Sequence, residues 1–427
     1  MKLDRLLIIG LIIGFAISVV GLLFMASCEK DLVAYCLLEK EYLMPDFYWH
    51  SNTIKYVANN WILPYQVLGY EDGGVDGSSV SDNDDEMKNV IHGPLYYYIS
   101  AIIWSVSSNL EINQVLMLHV LSIFLMLLTN IMFFLLTKKI SKYTAYKKQF
   151  IISSTLIFIF FPLNLYLSLA VHNHALFLFF LILSFYLYQK LIEQKNLKNS
   201  VFLGVSLGLG LLSSSMILSL FLAVLFYHLF SYFLEKDRNL KFILFSLFLG
   251  FVIGAYSLIR NYILYGESIW GGIVAPLQER NFFTLIRIGK SFFSGIYGGN
   301  NLISPLIFVI SVLIIMICIY GVFYWLVEQK RNKFSKPNAI NLILLTGLIT
   351  LILSFHTVCN FTPLLTNLTC FGDILHGRHL LAIIPSVVIS FAVGLTNLLK
   401  RQNTIKSFLV GIVCFLYSLD FISSLMG

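Results

Sequence analysis

Residues Leu6–Ser27 read LLIIGLIIGFAISVVGLLFMAS, twenty-two residues without a single charge. At 1.5 Å per residue a helix of that length covers the roughly 30 Å of a bilayer's hydrocarbon core. Inside lipid a segment must satisfy its own backbone hydrogen bonds, so a run of this length is read as a helix and not a strand. It is too long for the apolar stretch of a signal peptide and carries no clear small-residue cleavage site, so it is expected to stay as a first span.

Ten further apolar stretches follow, near 112–137, 149–169, 174–192, 200–215, 216–234, 240–262, 303–327, 338–356, 379–399 and 405–424. The composition agrees: the chain is 58% hydrophobic and 12% charged, with 37 Phe in 427 residues, where soluble domains carry about 25% charge. The expected fold is therefore an all-α polytopic membrane protein, one domain over 1–427 with about eleven spans.

Charge orients it. With the N-terminus (Lys2, Arg5) cytoplasmic, the inner loops are 138–148, 190–198, 235–241, 328–337 and 400–406. Together with the N-terminus they hold 20 of the 29 Lys and Arg, while the opposite side keeps 16 of the 22 acids. This is the positive-inside pattern, so the net charge of +7 reports topology and not a nucleic-acid footprint. Counting 95–108 as a crossing would put Lys138–Lys148 on the wrong face. That segment is expected to lie along the outer face as a juxtamembrane helix, as is the amphipathic stretch 48–61. Three outer loops remain, 28–111, 266–302 and 357–378, and polar chemistry is expected there.

The six cysteines divide by position. Cys318 and Cys414 fall inside spans, where thiols are inert core groups. Cys28 and Cys36 share the first outer loop, and Cys359 and Cys370 share the third. Neither pair has metal-ligand spacing; a disulfide within each pair fits an oxidising face. Two Asn-x-Thr triplets, at Asn360 and Asn367, are weak glycosylation signals. Gly204, Gly208 and Gly210 sit inside a span at helical spacing and are expected to pack helices closely, not to cradle phosphate. No P-loop, dinucleotide fingerprint or repeat is present.

The polar residues of the outer face each carry two readings. Asp46 opens the amphipathic stretch Tyr48–Trp61: near a low-dielectric boundary its carboxylate becomes a candidate general base, and as an opening residue it also suits a helix N-cap. His50 lies one turn further on the same face. His92 precedes Pro94 at a helix start, suited to an anion or simply to a turn. Arg260 and Arg378 stand at outer ends of spans, against the charge bias, and suit bidentate phosphate contact or headgroup snorkelling. His172-Asn173-His174 joins two spans, but spacing fixes no third metal ligand. The acidic run Asp82, Asp84, Asp85, Glu86 is a solvated loop or a divalent-cation site. No residue set is assigned to a metal and the residues fix no cofactor; a divalent cation stays open.

In this order, five local patterns resemble the GT-C superfamily of membrane glycosyltransferases, in the branch of protein O-mannosyltransferases and lipid A aminoarabinose transferase. They are Pro45-Asp46 with His50; His92-Gly93-Pro94-Leu95-Tyr96-Tyr97, similar to a His-Pro-Pro-Leu-Tyr-Tyr motif; Asn173-His174, where relatives have Asn-Asp; Arg260-Asn261-Tyr262-Ile263-Leu264-Tyr265-Gly266-Glu267; and Gly377-Arg378-His379-Leu380-Leu381, similar to Gly-Arg-Tyr-Leu-Leu. Many relatives carry Asp-Glu where this chain has Asp46-Phe47.

The resemblance implies a glycosyltransferase using a polyprenyl-phosphate-linked sugar on the extracytoplasmic face, with a lipid, glycan or protein acceptor and inversion at the anomeric carbon. It implies Asp46 as catalytic base and His92, Arg260 and Arg378 as contacts to the donor phosphate. His50, Tyr96, Tyr97, Asn173, His174, Asn261 and His379 would stand near the site. The alternative is a flippase or transporter for lipid-linked saccharides, which would gather ionisable groups at the bilayer midplane; here the span centres are nearly free of them.

Overall fold

A computed structural model describes residues 2–26, 47–63, 93–235, 240–265, 305–331, 338–360, 369–370 and 381–398. The described residues are helical almost throughout. In order come α1 (Lys2–Ala26), α2 (Phe47–Asn60), α3 (Pro94–Asn109), α4 (Gln114–Ile140), α5 (Lys147–Ile159), α6 (Pro162–Leu169), α7 (Asn173–Glu193) and α8 (Leu197–Ser213). Then follow α9 (Leu218–Glu235), α10 (Leu240–Tyr265), α11 (Pro305–Arg331), α12 (Ala339–Val358), strands β1 (Cys359–Asn360) and β2 (Thr369–Cys370), and α13 (Ile384–Leu398).

Every expected span up to 379–399 falls on one or more of these helices, and 405–424 lies outside the described residues. Six segments among the described residues are long and apolar enough to cross a bilayer, seven with one bent pair; the chain is a multi-pass integral membrane protein. The outer faces of α9, α10 and α11 show why: Phe230, Phe233, Phe248, Ile263, Ile319 and Phe323 are all exposed. On helices of this length and hydropathy, apolar surface of that kind suits contact with lipid tails.

The bent pair departs from the sequence reading, which has 149–169 as one span. α5 and α6 are bent by 48° at a break before Pro162. Proline cannot continue a helix ladder, and the Asn164 carboxamide repairs the break by donating to Phe158 O at 2.6 Å. The break borders a cavity whose polar lining is Ser18, Asn130, Asn164 and Ser168, all uncharged.

Close backbone contact replaces hydrophobic drive between helices already surrounded by hydrocarbon. The expected role of Gly204 and Gly208 is met on α8, with a matching Gly250 and Gly254 on α10. A Cβ on Gly208 would lie 2.6 Å from Ile253 Cβ, and one on Gly250 3.0 Å from Gly204 O. α11 and α13 repeat the device through Gly321 and Gly394, where a Cβ would come within 2.0 Å of Ser390 O and 2.3 Å of Ile317 O. Gly208→Leu is expected to wedge α8 from α10 and cost about 1–3 kcal/mol. A lowered unfolding midpoint in detergent checks this, and an unchanged midpoint refutes the close-packing role.

Two ends of the bundle have opposite chemistry. At one, Lys139 and Lys142 each reach Glu193 at 2.5 Å. There Gln189 donates to Tyr143 Oη and Glu193 and accepts from the Ala339 amide at 2.8 Å, so the network ties α4, α7 and α12 together. At the other end, twenty residues up α7, stand His172 and Asn173. A helix of α7's length separates them by about 30 Å.

Candidate functional site: a histidine–tyrosine cluster at one end of the bundle

The His172 end is assembled from α2, α3, α4, α7 and α8. α3 begins with proline, whose missing N–H costs nothing in the first turn. Just before it, Gly93 presses on the end of α8: a Cβ there would stand 2.1 Å from Leu212 O, so only glycine allows the approach. The Asn173 side chain donates to Ser213 O at 2.9 Å and pins the start of α7 to the same point. α4 also begins here, His119 bonding Leu169 O and Ser122 donating to Ala170 O at 2.7 Å. Both the first residues of α3 and the first turns of α4 therefore lie at this one end. α3 runs along it and does not traverse the bundle, as the charge bias requires.

Three imidazoles meet in the space so formed. The rings of His50 and His172 lie 4.2 Å apart between centroids, and those of His172 and His174 3.9 Å. All three are buried. Tyr97 Oη is 2.9 Å from His50 Nδ1, with the two rings stacked at 5.7 Å, and Tyr96 meets His50 edge-on at 6.4 Å. His172 Nδ1 accepts the His174 backbone N–H at 3.2 Å and so caps α7. Because an amide N–H can only donate, that nitrogen carries a lone pair, and the proton of the neutral ring sits on Nε2. Burial pushes the Tyr96 phenol up and keeps it protonated.

One residue on, Tyr98 brings in the arginine. Burial raises its phenol and nearby Tyr256 adds to the rise, while the Arg260 guanidinium opposes it. Arg260, near the C-terminal end of α10, is thus within electrostatic reach of Tyr98 on α3.

The structure accordingly brings together His50, Tyr96, Tyr97, Asn173 and His174, and leaves Arg260 linked to Tyr98 on α3. It adds His172, which the sequence offers only as part of the junction of two spans or as a metal ligand and which physically links His50 to His174. The remaining expected residues, Asp46, His92, Arg378 and His379, lie outside the described residues, as do the Asn261 side chain and the run Asp82–Glu86. Among the described residues no group of three or more His, Cys, Asp or Glu is arranged to hold a metal ion.

The class defined by these features is a polytopic helical membrane protein with a buried imidazole–phenol cluster at the end opposite Lys139 and Lys142. No family model matches the chain and no curated protein sequence matches it. Among solved structures it is similar to the oligosaccharyltransferase of Archaeoglobus fulgidus: to the form with zinc and sulfate at a TM-score of 0.55 and 12% identity, over 96% of this chain and 53% of that one. The apo form of that enzyme gives 0.51 at 12% identity, over 96% of this chain and 55% of its own. This chain spans about half the length of those structures. At such identity the likeness is one of fold alone, shared with that oligosaccharyltransferase; it does not single out the O-mannosyltransferase or aminoarabinose transferase branch.

Proposed function

We propose that the chain is a membrane glycosyltransferase that moves a sugar from a polyprenyl-phosphate-linked donor to a lipid, glycan or protein acceptor on the extracytoplasmic face. The single observation that carries this reading is the His50–His172–His174 cluster with Tyr97, at the end of a GT-C-type fold opposite Lys139 and Lys142. Basic residues mark the cytoplasmic side, which leaves the cluster outside.

Asp46 is the base. It directly precedes α2, one helical turn before His50. It removes the acceptor's proton as the acceptor's lone pair attacks the anomeric carbon. The bond from that carbon to the phosphate oxygen breaks in the same displacement, and the configuration inverts. The leaving group departs as a phosphate, so it needs cations and N–H donors and no strong acid. Arg260 and the imidazole N–H groups of the cluster fill that role, with His92 and Arg378. Tyr96, Tyr97 and Asn173 hold the pieces in place, and Asn261 and His379 complete the surround. The branch that uses a monophosphate donor is favoured by the His92–Tyr97 and Gly377–Leu381 patterns.

A flippase is the competing reading. The cavity at the α5–α6 break is lined by serine and asparagine and no charge, whereas transporters place ionisable groups at that depth. The deciding experiment uses purified protein in liposomes with a panel of radiolabelled polyprenyl-phosphate sugars and a membrane extract as acceptor. Transfer with inverted anomeric configuration is expected. Scrambling of the donor between leaflets without any transfer would overturn the enzyme reading.

A further inference from the structure

We propose that Cys359 and Cys370 are joined by a disulfide bond that staples the third outer loop beside the site. β1 and β2 pair antiparallel, with Cys359 directly opposite Cys370 and Asn360 opposite Thr369. Directly opposed Cα atoms of an antiparallel pair lie about 4.5–5.5 Å apart. Disulfides need about 4.4–6.8 Å. The backbone register therefore puts the two cysteines at bridging distance.

Placement supplies the second argument. β1 continues α12 without an intervening residue. α12 starts beside Gln189, at the basic end, so it finishes at the end where His172 and Asn173 stand. If that end is extracytoplasmic, the compartment is one in which disulfides persist. A two-residue ladder alone is marginal in water, and a covalent bridge would hold it. The bridge would also fix where the chain sets out toward Arg378 and His379. The half-buried thiol of Cys318, within α11, donates to Val387 O at 3.4 Å and is no competitor.

Closing the bridge removes two protons and two electrons from the two thiols. The oxidant is a protein-disulfide oxidoreductase, whose own disulfide is reduced to a dithiol by exchange. The inference rests on the strand register and not on the proposed transferase activity, so each can fail without the other.

The test uses the full-length protein in the membranes of the cells that made it. Free thiols are blocked with N-ethylmaleimide before solubilisation, and the protein is then denatured, digested without reductant and analysed by mass spectrometry. Expected is one linked peptide pair through Cys359 and Cys370 that disappears on reduction, with Cys318 and Cys414 absent from every link. Alkylation of both Cys359 and Cys370, or a link from either to Cys28 or Cys36, would overturn the proposal. A Cys359→Ser chain gives the complement: Cys370 becomes alkylated, whereas an unlabelled Cys370 would point to another partner and also sink the pairing.

Discussion

Asp46→Asn is expected to lower the rate of sugar transfer by about 100- to 10,000-fold, the range that general-base catalysis contributes, with the bundle intact. The substitution separates the two roles that the sequence leaves open for this residue. As a helix N-cap, asparagine serves as well as aspartate, so a purely capping Asp46 would lose nothing. As a base, asparagine cannot take a proton at all. His50 makes the geometry concrete: one turn after Asp46 in the sequence, it is bonded to and stacked on Tyr97, with its ring 4.2 Å from that of His172, so the first turn of α2 is anchored against the imidazole cluster. The measurement is single-turnover transfer alongside the thermal unfolding midpoint. Full activity with an unchanged midpoint would take Asp46 out of the mechanism and leave it as a cap. Loss of activity together with a large fall in the midpoint would point to a structural role and count equally against the base.

Much of this fold is legible in the chain because the bilayer permits few solutions. Runs such as 240–262 could only be helices, and the lysines of 138–148 forced 95–108 out of the span count, a reading that the contacts of α3 and α4 at one end reproduce. The glycines of α8 were readable as packing residues, but their partners Gly250 and Gly254 were not, since nothing in sequence says which helix faces which. The α5–α6 break hid behind an unbroken apolar run; Pro162 was its only signal, and the rescue by Asn164 depends on three-dimensional reach. The site shows the same divide. His50, Tyr96, Tyr97, Asn173 and His174 were legible through local patterns, because each sits at a helix start where polar residues stand out against apolar neighbours. The centrality of His172 was not. Its ring joins α2 to α7 across more than a hundred residues of sequence, and its local role, capping α7, looks complete without that contact.

Gly93→Val is expected to cut transfer by about 100-fold, the penalty for misplacing catalytic groups by about 1 Å, with a smaller effect on unfolding than Gly208→Leu. The reason lies in what the Gly93 backbone touches. A Cβ would meet Leu212 O at 2.1 Å and the Ser213 carbonyl carbon at 2.8 Å. Those are backbone atoms that cannot swing aside, and Ser213 O is already committed to Asn173. The strain must then move the start of α3, because α8 is locked against α10 through its own glycines. Tyr96 and Tyr97 ride on the first turn of α3, so their hydrogen bond and ring contacts to His50 shift with it. Gly93→Ala should show the same effect in milder form, since the clash begins at Cβ. Steady-state kinetics would then place the loss chiefly in kcat, because the apolar tail of the donor still finds the bilayer-facing surface. A loss confined to KM would instead mean that α3 binds the donor and takes no part in positioning the reacting groups. Wild-type rates for both variants would show that the Gly93–Leu212 contact is irrelevant to the site, and with it the idea that the glycine of the His92–Tyr97 motif is there to let two helix ends converge.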